Sequence, residues 1–438
     1  MSSIWLETTS MPEFPSLKGD NSTEVLIIGG GMAGILTAFH LDKMNVPYIL
    51  VEKDRICQKT TGNTTAKITA EHGLIFKDIL KKYGAATAKA YYNSNLDALL
   101  KYQKLCRNID CDFELKDNFV YSGDLRLIED EMKALDNLGI ISRFYENTPL
   151  PFRISGAVCF PNQAQFHPIK FIKEISKGLN IYENTFVEEM IGNKAVFKGG
   201  TIKANKVIIT THFPFINKHG SYFLKLYQHR SYCLALRGAA NVNGMFVSEN
   251  EKGYSFRNYK DYLIVGGGGH RTGKNGGSYN DLREFKKRYY PNAEECFHWA
   301  AQDCMSLDAM PYIGNYSKRT HNLYVATGFN KWGMTGSMVA ATVLSDLIRG
   351  EKKGYHEIFS PSRNIIKPQL FVNGAESVFN LLNPLGKRCP HLGCSLKWNK
   401  YEHSYDCPCH GSRFDKKGKV LDGPANGNLK IKGENNGK

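Results

Sequence analysis

The apolar positions of this chain fall into a few strand-like and helix-like runs. Residues 24–28 (EVLII) form a short apolar run suited to a strand covered on both faces. The turn GGGMAG follows at once, from Gly29 to Gly34, and ILTAFHLDKM then sets apolar residues at helical spacing. A second strand, PYILVE, ends at Glu52. Three later runs matter: VIITTHFPF at 207–215, DYLIVGGGGHRTG at 261–273, and LYVATGFNKWGMTGSMVAATVLSDLI at 323–348. The last reads as a strand passing through a glycine loop into a helix that begins near Met334. No run reaches the roughly 18 apolar residues of a membrane-spanning helix.

Strand, glycine turn, helix and acid-terminated strand make a dinucleotide site for physical reasons. Gly29 permits the tight turn, Gly31 lets the backbone approach a pyrophosphate, and Gly34 allows the helix to pack closely on the strand. The helix N-terminus offers unpaired N–H groups, and Glu52 can accept hydrogen bonds from ribose hydroxyls. Three segments favour FAD over NAD. TTGNTTAKIT at 60–69 is rich in Thr and Gly and suits backbone contact with a flavin. The strand ending in VIITTHFPF would pass the nucleotide. The helix after residue 332 could point its N-terminus at the flavin ring and stabilise charge that develops on reduction.

On these motifs, with SLDAMPYIG at 306–314, residues 24–349 resemble the D-amino-acid oxidase and glycine oxidase family of FAD enzymes. The resemblance implies an α/β FAD-binding domain of the Rossmann-like, glutathione-reductase type. A mostly antiparallel α+β substrate domain would cover the flavin. It implies flavin segments near 20–75, 155–215 and 300–350, and cap segments near 76–150 and 220–300. The implied FAD contacts also include Met32, Ala33, Lys53, Thr61, Gly62, Thr65, Ala66, Lys67, Val187 and Thr211. Gly328, Trp332, Gly333, Met334 and Thr335 complete the implied set. The family passes a hydride from a carbon next to an amine to the flavin, which implies a small amine- or amino-acid-like substrate.

Cysteine usage changes the picture at the other end. The chain has 11 cysteines, most of them dispersed and expected to be small buried residues. Four crowd into CPHLGC (389–394) and CPCHGS (407–412), giving Cys-x-His and Cys-x-x-His halves, each with one extra cysteine. A structural zinc site is the rival, but it does not account for the paired extra cysteines. The segment resembles the disulfide-bearing Rieske type of cytochrome bc complexes. That resemblance implies Cys389 and Cys407 on one iron of a 2Fe-2S cluster and His391 and His410 on the other. It further implies a Cys394–Cys409 cross-link, a bond unusual in a reducing cytosol unless buried beside the cluster. Ser412 matches the serine of high-potential versions, but Phe414 stands where a tyrosine would donate a hydrogen bond. The expected potential is below the upper part of the range of roughly −150 to +300 mV.

These signals predict an FAD-dependent oxidoreductase over 1–350, a linker and short helix over 351–385, and a truncated, small all-β Rieske 2Fe-2S domain over 386–438. Too small to bury much surface alone, that module is expected to pack on the flavin domain. The formal charge is +15, but the basic residues are scattered, so nucleic-acid binding is not supported. The start of the chain lacks a secretory signal, so a cytoplasmic location is expected, with peripheral membrane contact left open. No residue announces itself as an acid–base catalyst. The candidates are Lys67, His72, His270 and Arg271, the last able to pair with a substrate carboxylate, and each reads equally well as packing or surface. His167 and His212 read as structural. Three functions remain in view: amine oxidation with electrons leaving through the cluster to an unknown acceptor, the reverse flow from an outside donor, and a non-enzymatic redox sensor.

Overall fold

In a parallel sheet, each strand must be apolar toward both faces. The strand Asn21–Ile28 meets that demand: Val25 and Ile27 are buried on one side, Leu26 and Ile28 on the other. The computed structural model, which describes residues 2–217, 219–250 and 253–431, places this strand at the centre of the first sheet. Gly200–Ile209 pairs with it in parallel on one side and Tyr48–Val51 on the other. Ile181–Tyr182 and Leu323–Thr327 extend the two sides in parallel, and Tyr312–Asn315 closes one edge antiparallel. The helices Met32–Lys43 and Gly333–Ile348 lie together against this sheet, and the fully buried Ala38, Ala340 and Ala341 give them room to do so.

The second sheet has nine strands and all its pairings are antiparallel except that of Met245–Ser248 with Glu114–Ser122. Its long strands Tyr227–Arg237, Tyr262–Arg271 and Glu294–Met305 lie side by side at one end of the sheet, with Glu294–Met305 at the edge, and reach the C-terminal module. The expected segment boundaries need correction here. Gly156–Gln165, inside the segment 155–215 assigned to the flavin domain, pairs with Glu114–Ser122 in the second sheet, as does Lys67–Ile68 with Gly156–Gln165. Conversely, the helix Phe76–Cys106, assigned to the cap, packs on Gly333–Ile348: Tyr102 Oη donates to the Met334 carbonyl at 2.9 Å and Lys101 Nζ to Thr342 Oγ1 at 2.9 Å. The reason is general. An apolar strand or helix shows in sequence that it will be covered, not which neighbour covers it.

The C-terminal module is a four-stranded antiparallel meander, Lys397–Asn399, Ser404–Asp406, Arg413–Asp415 and Val420–Asp422. Its core is only Leu396, Phe414, Ala425, Leu429 and the four clustered cysteines, with Tyr405 and Val420 at the margin. A core this small contributes little stability alone, and the module is docked on the second sheet. Arg230 forms a buried two-point ion pair with Glu402, and Arg413 reaches Glu402, Asp406 and Asp422 at 3.0–3.2 Å. Gln302 Nε2 donates to the Gly411 carbonyl at 2.9 Å. Contact is close enough at Gly411, with φ +81°, that a Cβ would sit 2.2 Å from Gln228 Cγ. The segment before the module, expected as linker and short helix, holds the 15-residue helix Pro368–Leu382.

Candidate functional site

The glycine turn is built for close approach. Gly29 has φ +115°, and a Cβ on Gly34 would lie 1.9 Å from the Gly29 carbonyl oxygen. Gly31 caps the helix Met32–Lys43 without a side chain, and only Thr61 Oγ1 comes within 4 Å of its would-be Cβ. That leaves the turn open toward a cavity of about 820 Å³. Glu52, at the end of its strand, accepts from Gly30 N at 2.7 Å and Asp54 N at 3.1 Å. Burial raises its pKa, while the two backbone hydrogen bonds pull it back. The helix Gly333–Ile348, whose start also lines the cavity, is capped by Trp332 with no side-chain hydrogen bond, so its first N–H groups are available to a ligand.

The cavity wall includes Gly29, Gly31, Met32 and Ala33, then Glu52, Lys53, Thr61, Thr65 and Lys67, and beyond them Val187, Thr211, Trp332, Gly333 and Met334. Gly34, Gly62, Ala66, Gly328 and Thr335 do not line it. Gly34 and Gly62 serve close packing, Gly62 against the Cys57 carbonyl, and Gly328 against Leu226 and Ser306. The Ala66 carbonyl takes a hydrogen bond from the buried Arg257. Thr335 holds His72. A cavity lined by both a bare glycine cradle and an uncapped helix N-terminus suits FAD.

Of the catalytic candidates, Lys67 and His72 line the cavity. Lys67 is buried, and desolvation, helped by Arg257, lowers its pKa to about 7. His72 is clamped between Tyr91 Oη at 2.5 Å and Thr335 Oγ1 at 3.1 Å and stacks on Trp332 at 4.9 Å. Burial lowers its pKa to about 3, so the ring is neutral and positions Trp332. His270 stacks on Tyr232 and burial lowers its pKa; it does not line the cavity. The expectation for Arg271 is corrected. Its Nε donates to the Pro408 carbonyl at 3.2 Å, Nη2 to the Cys409 carbonyl at 3.4 Å and Nη1 to Asn373 Oδ1 at 3.0 Å. It clamps the second cysteine-histidine loop instead of facing a substrate, because its strand runs on past the cavity to the docked module.

That module carries the second centre. Its two loops fold alike: Gly393 N donates to the Cys389 carbonyl and Gly411 N to the Cys407 carbonyl, both at 2.9 Å. They bring the His391 and His410 rings within 5.0 Å of each other. Cys394 and Cys409 are joined as a disulfide, and the remaining thiols, Cys389 and Cys407, lie within hydrogen-bonding reach of each other. Nδ1 of His391 and both ring nitrogens of His410 are buried without a hydrogen-bond partner. Burial lowers these imidazoles to about 4 and 3, keeping them neutral. Two thiols and two neutral, unsatisfied imidazoles fit a 2Fe-2S cluster of the Rieske type. Ser412 Oγ accepts from Ala425 N at 3.0 Å and bonds toward Cys389; Phe414 is fully buried and has no hydroxyl to offer.

Sequence reasoning placed Thr211 at the flavin but missed that its segment lies between the two centres. Thr211, His212 and Phe213 line the cavity. Phe213 meets His391 and His410 edge to face, with ring centroids 6.2 and 6.1 Å apart. His212, with φ +68°, places Nε2 3.1 Å from Gln228 Oε1 and is made less basic by burial. Asp303, whose pKa burial raises, lines the same wall, and Asp422–Asn426 of the module close the cavity from outside. The positive φ at a non-glycine residue followed by an aromatic has no signature in the sequence. His167, as expected, is structural: Nδ1 caps the helix Pro168–Ile175 by accepting from Lys170 N.

Comparison with known proteins agrees with both halves. Residues 24–347 match the model of the FAD dependent oxidoreductase family, and residues 378–432 match that of the Rieske [2Fe-2S] domain. The putative Rieske 2Fe-2S iron-sulfur protein YhfW of Bacillus subtilis (strain 168) is 32% identical, over 96% of this chain and 95% of that one. The cytochrome b6-f complex iron-sulfur subunit 2 of Trichormus variabilis is 50% identical over 52 residues, 11% of this chain and 29% of that one. Glycine oxidase from Geobacillus kaustophilus superposes with a TM-score of 0.65 at 18% identity, covering 79% of this chain and 100% of that one. The chain belongs to the FAD-dependent oxidoreductase family and carries a C-terminal Rieske domain that binds a 2Fe-2S cluster.

Proposed function

We propose that this chain oxidises a small amine or amino acid in the cavity and releases the electrons, one at a time, to a separate acceptor. The observation that carries this reading is the shared wall: Thr211–Phe213 borders the cavity on one side and both cluster histidines on the other. Bound FAD supplies a two-electron acceptor, and the 2Fe-2S cluster, held by Cys389, Cys407, His391 and His410, a one-electron one. The protein's own part is placement. The turn residues Gly29, Gly31, Met32 and Ala33 with Glu52 would hold the nucleotide end, and Trp332–Met334 would lie against the ring. Lys67, titrating near neutral pH, can take up a proton at Nζ as an amine is oxidised. Asp422–Asn426 exclude water from that side. The fold shared with glycine oxidase supports an amine-type substrate.

The test is anaerobic titration of the holoprotein with candidate amines, followed by visible and electron-paramagnetic-resonance spectroscopy. Flavin bleaching by an amine, followed by a reduced-cluster signal, is the expected result. Cluster reduction by an outside carrier, with no response to any amine or amino acid, would reverse the assigned direction.

A further inference from the structure

The helix Pro368–Leu382 is inside out. Its buried positions are the asparagines Asn373 and Asn380. Asn373 accepts from Arg271 and donates to the Leu224 carbonyl, and Asn380 Nδ2 donates back to the Glu376 carbonyl. The opposite face is apolar: Phe371, Val372, Val378, Phe379 and Leu382 follow helical spacing and are 49–77% exposed. Leu385, just past the helix, continues the stripe at 76%. Isolated exposed apolar residues need no explanation, but a contiguous stripe along about three helical turns does.

The sequence around it is predominantly basic, and the structure puts Lys367 at the helix N-cap and Arg388 against its last turn. From Ile366 to Lys400 the basic residues are Lys367, Lys387, Arg388, Lys397 and Lys400, and the only acid is Glu376. Glu376 is already paired with Lys274. A second copy of the chain fits this face poorly, because two-fold pairing would bring two basic rims together. An anionic surface fits it well, and an apolar stripe within a basic rim is how an interfacial helix lies in a bilayer surface. The stripe also adjoins the cluster. Arg388 Nη1 donates to the carbonyls of Leu381 and Gly393, tying the helix end to the ligand loop, and the exposed Leu392 directly follows His391.

We propose that the helix Pro368–Leu382, with Leu385 and Leu392, docks this protein on the surface of an anionic phospholipid bilayer and brings the His391 edge of the cluster to that surface. No helix of the described residues is long and apolar enough to cross a membrane, so the docking is peripheral. The proposal stands apart from the direction of electron flow and survives if that reading fails.

The experiment is co-sedimentation of the full-length holoprotein with vesicles of phosphatidylcholine alone and of phosphatidylcholine with phosphatidylglycerol. Sedimentation is expected with the second only, and it should weaken as salt is added. F371S/L382S should lower partitioning about tenfold for each apolar side chain removed. K397E/K400E keeps the apolar stripe intact and should lower it about fivefold or more for each lysine changed. Both variants should retain the visible spectra of both cofactors. Equal binding to both vesicle types would remove the charge argument and overturn the proposal. So would binding unchanged in either variant. A wild-type dimer in analytical ultracentrifugation that becomes monomeric in F371S/L382S would assign the face to a second copy. A monomer that binds neither vesicle type would leave it to a protein partner.

Discussion

The flavin body and the Rieske module solve the same stability problem in opposite ways. The body buries long apolar strands on both faces of its parallel sheet and draws on a large apolar core. The module buries a handful of side chains around four cysteines and takes its stability from its neighbour. It is held by the disulfide, by the Arg230–Glu402–Arg413 ion network and by carbonyls that Arg271 and Gln302 reach from the second sheet. The lesson is about placement as much as stability. A module that cannot stand alone is locked in register against its host, so Phe213 meets both cluster histidines.

The widest separation between the regions should come from His391→Cys. Replacing imidazole by thiolate should keep a cluster but shift its potential toward the roughly −400 mV of all-thiolate ferredoxins, with FAD content unchanged. Redox titration of the cluster and the flavin-to-protein ratio check it, and loss of FAD would mean the two sites are not independent. Glu402→Ala comes next. It leaves Arg230 and Arg413 short of a buried partner and should cost the docked module about 3–5 kcal/mol. Limited proteolysis should then release the C-terminal module while the body keeps its FAD.

Arg271→Ala should have a smaller effect, about 1.5–3 kcal/mol from its lost charged hydrogen bonds. It should weaken cluster retention and leave the KM for substrate with an artificial flavin acceptor unchanged; a large rise in KM would restore a substrate-binding role. Lys67→Met should change stability least, whatever it does to amine oxidation. Burial lowers the folded pKa to about 7 against 10.5 unfolded, so the unfolded chain binds more protons between those values. Stability attributable to Lys67 therefore rises with pH across that window, by about 1 kcal/mol from pH 7 to 8. In Lys67→Met that contribution is absent, and urea unfolding of the two proteins at several pH values reads the difference.

The chemistry of both cofactors was legible because it is local. A glycine turn between an apolar strand and a helix, closed by Glu52, has meaning within thirty or so residues. Cys-x-His and Cys-x-x-His need only that two loops meet. Lys67 and His72 follow the Glu52 strand so closely that the cavity could hardly escape them. What sequence order hid was long-range. Arg271 reads as a carboxylate anchor until the loop 137 residues away is seen lying on it. Gly156–Gln165 reads as a flavin-domain strand until its partner is known. The bridging role of Thr211–Phe213 and the lid formed by Asp422–Asn426 depend on where the module docks.

The sequence alone thus determined which cofactors this protein binds, because cradle and ligands are set by residue type at short spacing, where the backbone leaves few geometries. Only the tertiary structure decided how those cofactors face each other. That depends on surfaces meeting across the whole chain, and an apolar or charged pattern states that a partner is required without saying which one.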